Sequence, residues 1–129
     1  MNAPLPEIRL PLTFQRLVMS AAASRDFAPA HIDHEAARAG GAPGAYADVM
    51  FVLAMFERCV GEWAGTRASL ESLRAIALHD FVLTGQDAVV RGVITDESDT
   101  SVTVDLILLQ DNDRRAATAT AIMVRDGMR

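Results

Sequence analysis

A carboxylate and a histidine five positions apart form the pair in this chain best suited to acid/base chemistry. Pro29 lies between Asp26 and His31, and proline lacks a backbone N–H and restricts the residue before it, so this segment cannot be one continuous helix. A rigid turn would hold both side chains at one place. Histidine titrates near neutral pH, and a neighbouring carboxylate can orient it or share a water molecule with it. The residues alone also fit a structural role, in which Asp26 stabilises a turn and His31 is partly buried.

Other polar residues have simpler explanations. A metal site could be read from His31, Asp33, His34 and Glu35, but Asp33 is placed to cap a short helix beginning at His34, so no metal is predicted. Cys59 is the only cysteine and can form neither an internal disulfide nor a cysteine-based zinc site. Its apolar helical neighbours and the lack of a basic partner predict a core residue and not a nucleophile.

Three helices are predicted in the first half of the chain, each after a residue that can cap it. Thr13 precedes a helix over residues Phe14 to Ala23, Asp33 precedes one over His34 to Ala39, and Asp48 precedes the longest. That helix begins at Val49, runs for about 16 residues and stops at Gly65. Its first two turns are apolar on every side, which predicts that other parts of the protein surround it.

The second half is rich in valine, isoleucine and threonine. These residues are concentrated in segments of alternating pattern that are bounded by turn residues, which is typical of strands. Four strands are predicted over Leu70 to Leu83, Ala88 to Thr95, the region of Val102 to Leu108, and Ala116 to Val124. The short polar turns between them predict an antiparallel meander. A long buried helix against a curled antiparallel sheet is an α+β fold of the hot-dog type.

Length and charge limit the classes of function. The 129 residues predict one domain over residues 1–129. The formal net charge is −5 and all 12 basic residues are arginine, without a basic cluster, which argues against a nucleic acid partner. Without lysine, Schiff-base and phosphate-loop lysine mechanisms are excluded. The longest apolar run is too short to span a membrane and the N-terminus does not resemble a signal peptide, so a cytoplasmic protein is expected, with no membrane partner.

The residues around the acid/base pair resemble a known family. The segment Asp26-Phe-Ala-Pro-Ala-His31, with Ala37 six residues after the histidine, is similar to the hydratase signature of MaoC-like proteins and R-specific enoyl-CoA hydratases. The order of elements agrees over nearly the whole chain. Further similarity to the small MaoC-like subunit of steroid-side-chain enoyl-CoA hydratases is carried by Ser24-Arg-Asp-Phe27, His31 and Glu62-Trp-Ala-Gly65.

The resemblance implies hydration of a trans-2-enoyl-CoA to the (R)-3-hydroxyacyl-CoA, or the reverse dehydration. Asp26 would orient the water and take its proton, while His31 would hold the water and assist proton delivery to C2. The backbone N–H of Asp48 would stabilise the negative charge that develops on the thioester oxygen, and Tyr46 and Val49 would also bind substrate. No cofactor is implied, because coenzyme A enters as part of the substrate.

Two departures from the family pattern bear on this interpretation. The family commonly has glycine and asparagine where this chain has Arg25 and Ala28, and many members have His-Gly where this chain has Ala47 and Asp48. A carboxylate at residue 48 would oppose a developing oxyanion unless it points away.

Two other functions remain open from the sequence. One is a non-catalytic MaoC-like subunit that shapes an acyl pocket for a partner chain. The other is a hot-dog thioesterase, with Asp48 or Glu57 as the carboxylate that directs water to the thioester carbon. Hot-dog proteins resemble one another in joining two such folds, so the resemblance predicts a homodimer or a heteromer with a second MaoC-like chain.

Overall fold

The computed structural model describes residues 2–125, and the predicted domain of residues 1–129 extends beyond these bounds at both ends. The elements in chain order are β1 (Ile8–Leu12), α1 (Phe14–Ser24), α2 (His34–Ala39), α3 (Val49–Ala64), β2 (Ala68–Leu78), β3 (Gln86–Glu97), β4 (Ser101–Gln110) and β5 (Arg114–Arg125). Short 3₁₀ turns cover Pro29–His31 and Asp111–Asp113. Within the described part of the chain, no helix combines the length and the apolar character needed to cross a bilayer.

The three helices begin where the sequence predicts. Each cap side chain accepts a hydrogen bond from a backbone N–H of the first turn, at 3.1 Å for Thr13, 2.9 Å for Asp33 and 3.0 Å for Asp48. These N–H groups have no partner within the helix, so the cap oxygens satisfy them and fix the first residue of each helix. The chain therefore enters α3, whose start borders the candidate site, in a defined direction.

The five strands form one antiparallel sheet in the order β1-β3-β4-β5-β2. The predicted meander is right for β3, β4 and β5 but wrong for β2, which pairs with β5 and not with β3. β1, a five-residue edge strand that contains Pro11, was not predicted from the sequence. Proline cannot donate to a strand ladder and is tolerated at an edge, so the strand pattern of this short segment is weak.

The second strand is shorter than predicted. It ends at Leu78, because the N–H groups of His79 and Asp80 both donate to the carbonyl of Ala116, at 2.8 and 3.2 Å, and the chain then leaves the sheet. Leu83 instead forms an isolated bridge with Tyr46. The segment from residue 79 to residue 83, predicted as the end of a strand, is therefore a loop beside the start of α3.

The long helix packs against all five strands. The face of β4 that packs into the core consists of the buried residues Val102, Val104, Leu106 and Leu108. The prediction that the first two turns of α3 are covered on every side is wrong for this chain. Phe51, Val52, Met55 and Phe56 are buried, whereas Val49 and Met50 are 41% and 54% exposed. The sheet covers one side of the helix start and leaves the other side, which is apolar, uncovered. This is the α+β hot-dog architecture expected from the sequence.

Cys59 lies in the core, as predicted. Burial, with a smaller contribution from the charge of Glu62, raises the pKa of its thiol to about 11. Because the thiolate is the reactive form, the native protein should not react with Ellman's reagent at pH 8, whereas the protein in denaturant should release one equivalent per chain. Rapid stoichiometric reaction of the native protein would contradict this core placement.

Candidate active site

The segment that carries Asp26 begins with a helix end that turns the chain sharply. Arg25 adopts the left-handed conformation, with φ 57° and ψ 31°. The N–H of Asp26 donates to the carbonyl of Ala21 at 2.9 Å, and the N–H of Arg25 donates to that of Ala22 at 3.2 Å. These two bonds form a Schellman motif, which usually has glycine at the left-handed residue. This turn therefore forms with arginine in the strained position.

Replacing Arg25 with glycine should stabilise the protein. Left-handed backbone costs an ordinary residue roughly 1–2 kcal/mol, and the greater freedom of glycine in the unfolded chain removes about half of the gain. We expect Arg25→Gly to raise the free energy of unfolding by about 0.5–1 kcal/mol, measured by urea denaturation. Arg25→Ala is the matched control, because it removes the same side chain but keeps the strained backbone. An equal gain in both variants would show that the side chain, and not the backbone, sets the cost.

A 3₁₀ turn returns the chain to the aspartate. The N–H of His31 donates to the carbonyl of Ala28 at 2.9 Å, and the N–H of Ala28 lies 3.4 Å from Asp26 Oδ1. The carboxylate of Asp26 thus supports the turn that brings His31 back to it. This explains how the turn forms although Ala28 has no side chain that could stabilise it.

The imidazole of His31 is held by a backbone carbonyl. Its Nδ1 lies 2.7 Å from the carbonyl oxygen of Tyr46, and because that oxygen can only accept, Nδ1 carries the proton. In the neutral ring Nε2 is then an acceptor, and it lies 3.6 Å from Asp26 Oδ2. That distance is too long for a direct hydrogen bond. One water molecule can donate to both atoms, which is the arrangement that water activation requires.

Solvent reaches the two side chains unequally. The side chain of His31 is 13% exposed and that of Asp26 is 40% exposed. The ring of Tyr46 packs edge-on against His31, with 5.0 Å between ring centroids, and tilts against Phe81 at 4.7 Å. The imidazole is therefore fixed on its inner side, while the carboxylate is open to whatever binds at the surface.

The segment before α3 runs between two neighbours. The N–H of Tyr46 donates to Ala30 at 3.2 Å on one side, and the N–H of Ala47 donates to Val82 at 2.9 Å on the other. Tyr46 also accepts the bond from His31, so this segment connects the acid/base pair to the first residue of α3. Tyr46 was predicted to bind substrate, but its carbonyl could not be predicted from the sequence as the group that orients His31, because every residue has such a carbonyl.

Asp48 is 8% exposed and its carboxylate has two partners. Oδ1 accepts from the N–H of Phe51, and Oδ2 accepts from the hydroxyl of Ser24 at 3.0 Å. Among the described residues no hydrogen bond uses the backbone N–H of Asp48, which leaves it available to a ligand. The structure thus brings Tyr46 and Asp48 together with the acid/base pair, whereas Val49 lies exposed beside them.

A cavity of about 340 Å³ borders this region. It is lined mainly by apolar residues, from Tyr46 to Asp48, Val52, and Leu78 to Val82. Neither Asp26 nor His31 lines it; Tyr46 lines it and also contacts His31. The cavity therefore reaches the predicted oxyanion donor but not the acid/base pair within this single chain.

The loop wall of this cavity is held by two side chains of the sheet. Gln110 is buried, and its amide accepts from the N–H of Leu83 at 2.7 Å and donates to the carbonyl of the same residue at 2.8 Å. Arg114 donates to the carbonyl of Phe81 and pairs with Asp80 at 3.0 Å. The N–H of Phe81 and the guanidinium of Arg114 lower the pKa of the Asp80 carboxyl. The loop that forms this wall of the cavity is therefore held to the sheet by hydrogen bonds and an ion pair.

The possible metal ligands of this region have other partners. Asp33 caps α2, and Nδ1 of His34 accepts from the N–H of Ala45 at 3.0 Å. Across residues 2–125, no group of three or more histidine, cysteine or acidic side chains is placed to hold a metal ion.

Comparisons with known proteins agree with this architecture. A family model described as "MaoC like domain" matches residues 2–110, and no curated protein matches the sequence. The structure is similar to that of the ChsH1-ChsH2 complex from Mycobacterium tuberculosis, with 26% identity, coverage of 96% of both chains and a TM-score of 0.89.

Two further structures share the fold at lower identity. An (R)-hydratase from A. caviae involved in PHA biosynthesis has 17% identity, coverage of 95% of this chain and 93% of that one, and a TM-score of 0.84. A complex of HadBC, a (3R)-hydroxyacyl-ACP dehydratase from Mycobacterium tuberculosis, has 19% identity, coverage of 90% of both chains and a TM-score of 0.72. Since the family model spans most of the sequence, the chain belongs to the MaoC-like domain family.

Proposed function

We propose that this protein hydrates a trans-2-enoyl-CoA to the (R)-3-hydroxyacyl-CoA, or catalyses the reverse dehydration, with Asp26 and His31 as the acid/base pair. One observation carries the proposal: Nε2 of His31 and Oδ2 of Asp26 lie 3.6 Å apart, and both are acceptors when the imidazole is neutral with its proton on Nδ1. A single water molecule can donate one hydrogen to each of two acceptors at that separation. The family and the (R)-hydratase of the same fold support this reaction class.

In this mechanism the pair holds the water while its oxygen attacks C3 of the enoyl thioester. The proton that leaves the water passes to the pair and is returned to C2, so the net result is addition of H and OH across the double bond. Electrons of the C2=C3 bond move toward the thioester oxygen, where the free N–H of Asp48 at the start of α3 would donate a hydrogen bond. Tyr46 orients His31, and Val49 would contact the acyl chain.

The test uses a panel of short, medium and steroid-sized trans-2-enoyl-CoA thioesters. Loss of the conjugated absorbance reports hydration, and release of free thiol reports hydrolysis. Hydration without thiol release supports the proposal, whereas thiol release without hydration would identify a thioesterase. Of the two thioesterase candidates, Glu57 does not line the cavity, and both carboxylate oxygens of Asp48 already accept hydrogen bonds.

We also propose that a second MaoC-like chain, identical or different, completes the site. Asp26 is open to solvent, the cavity does not reach the pair, and exposed apolar side chains lie at the start of α3 and at the end of β2, namely Val49, Met50, Ile76 and Leu78. Covering them would exclude water from the reacting groups, which strengthens every electrostatic interaction there. Two structures of the same fold are complexes of differently named chains, ChsH1-ChsH2 and HadBC.

Light scattering checks this proposal. We expect a mass of at least twice the 13.9 kDa of one chain, either alone or after addition of a second MaoC-like chain. Activity that depends on a different added chain and survives loss of Asp26 and His31 would instead identify a non-catalytic subunit. A monomer that is fully active would contradict the requirement for a second chain.

A further inference from the structure

The hydroxyl of Ser24 connects the end of α1 to the start of α3. Its Oγ lies 3.0 Å from Asp48 Oδ2, 3.0 Å from the carbonyl of Ser20 and 3.4 Å from that of Ala21. A hydroxyl has one proton and can donate it to one acceptor at a time. The carboxylate is the charged acceptor, and charge-assisted hydrogen bonds are about twice as strong as neutral ones. The proton of Ser24 is therefore directed to Asp48.

The Asp48 side chain needs this restraint. Its carboxylate is attached to the same residue whose N–H is the proposed oxyanion donor, so a rotation of the side chain could bring a negative charge next to the thioester oxygen. Two negative charges at such close range repel each other at the dielectric typical of a protein surface. With Oδ1 on the N–H of Phe51 and Oδ2 on Ser24, both carboxylate oxygens are engaged by other donors.

The hydrogen bond between Ser24 and Asp48 also links the segment of the acid/base pair to the start of α3. Ser24 precedes Asp26 by two residues, and at the other end of the turn Nδ1 of His31 donates to Tyr46, two residues before Asp48. The segment with the acid/base pair and the segment with the oxyanion donor are thus joined at both ends.

We propose that Ser24 is a positioning residue that acts through Asp48: its hydroxyl holds the Asp48 carboxylate away from the thioester oxygen and fixes the distance between the acid/base pair and the start of α3. This inference rests on the proposed hydratase function. It assigns a role to Asp48, one of the residues at which this chain departs from the family pattern, and it explains how an acidic residue is compatible with an oxyanion donor.

A double-mutant cycle tests the proposal. Hydration is measured for the wild type, Ser24→Ala, Asp48→Gly and the double variant, each assayed with its second chain where one is required. Ser24→Ala should lower kcat roughly tenfold with KM changed less than threefold, because the freed carboxylate opposes charge that develops mainly in the transition state. In the Asp48→Gly background the same serine replacement should change kcat less than twofold, because no side chain remains to be restrained.

Two further variants distinguish a positioning effect from a loss of structure. Ser24→Thr keeps the hydroxyl and should restore kcat to within threefold of the wild type. Asp48→Asn keeps a capping oxygen without the charge, so it replaces Asp48→Gly in the cycle if the glycine variant does not fold. Thermal unfolding of every variant separates a loss of folded protein from a loss of rate.

The outcomes are distinct. An equal effect of Ser24→Ala in both backgrounds, or a loss that appears only in KM, would overturn the positioning role while leaving the hydratase function intact. If the wild type hydrates no enoyl thioester, with or without a second MaoC-like chain, the proposed function and this inference both fall. A serine effect that disappears without the Asp48 carboxylate would establish the inference.

Discussion

Replacing His31 with alanine is expected to lower kcat for enoyl-CoA hydration by about 10²–10⁴, and Asp26→Asn should cause a loss in the same range. His31→Ala removes the acceptor Nε2 that faces Asp26 across 3.6 Å, so the water loses one of its two partners. Asp26→Asn replaces the proton acceptor by an amide of the same shape. Since both groups act on the same water, the double variant should be hardly slower than either single one.

The controls separate this loss from a folding defect. The amide that Asp26→Asn introduces keeps an oxygen that can accept from the N–H of Ala28, so the turn should form and the midpoint of thermal unfolding should change little. Asp33→Asn is the matched charge control, because Asp33 lies in the same segment but caps α2; its kcat should stay within twofold of the wild type. Hydration that persists in both His31→Ala and Asp26→Asn would show that the acid/base pair lies elsewhere.

The features that the sequence predicted well depend on contacts between residues that are close along the chain. A helix cap needs a side-chain oxygen and an N–H two or three residues later, and Thr13, Asp33 and Asp48 all satisfy this condition. The approach of Asp26 and His31 is also local, because the turn around Pro29 brings these two residues, five positions apart, together. For these features residue type and spacing contain the necessary information.

The features that were missed depend on distant segments. β1 pairs with residues 86–90, far along the chain, and β2 pairs with β5 because the loop after Leu78 leaves the sheet. The bond between Ser24 and Asp48 spans 24 residues and exists only because α1 ends beside the start of α3. The residue types of Ser24 and Asp48 do not by themselves indicate that these two side chains bond to each other. A serine near the end of a helix usually bonds to the backbone of its own helix.

The exposed side of α3 shows a different limit. The sequence correctly indicates an apolar helix start, but periodicity cannot tell whether the cover comes from the same chain or from another. Val49 and Met50 remain exposed here because the sheet packs on the opposite side, where Phe51 and Val52 are buried. The number of chains in the assembly is therefore not specified by the pattern within one chain.

The largest expected effect on stability is that of Phe56→Ala. Phe56 is fully buried in α3, within the core formed by the helix and the sheet. Removing its ring should lower the free energy of unfolding by about 3–5 kcal/mol, measured by urea denaturation, because the lost burial and the remaining cavity both contribute. Glu57→Ala is the matched control: it changes the adjacent, exposed residue and should alter stability by less than about 0.5 kcal/mol.

The same two variants also separate the core from the active site. Phe56 follows Asp48 by eight residues, which is about 12 Å along a helix, so the ring supports the helix without touching the proposed oxyanion donor. Phe56→Ala should therefore keep kcat within twofold at low temperature, where it stays folded, which is the reverse of the behaviour expected for His31→Ala. Glu57→Ala should leave hydration unchanged. If the wild type released thiol and this variant did not, Glu57 would be the carboxylate of a thioesterase. A tenfold loss of kcat in folded Phe56→Ala would mean that packing in the middle of α3 sets the geometry at its start.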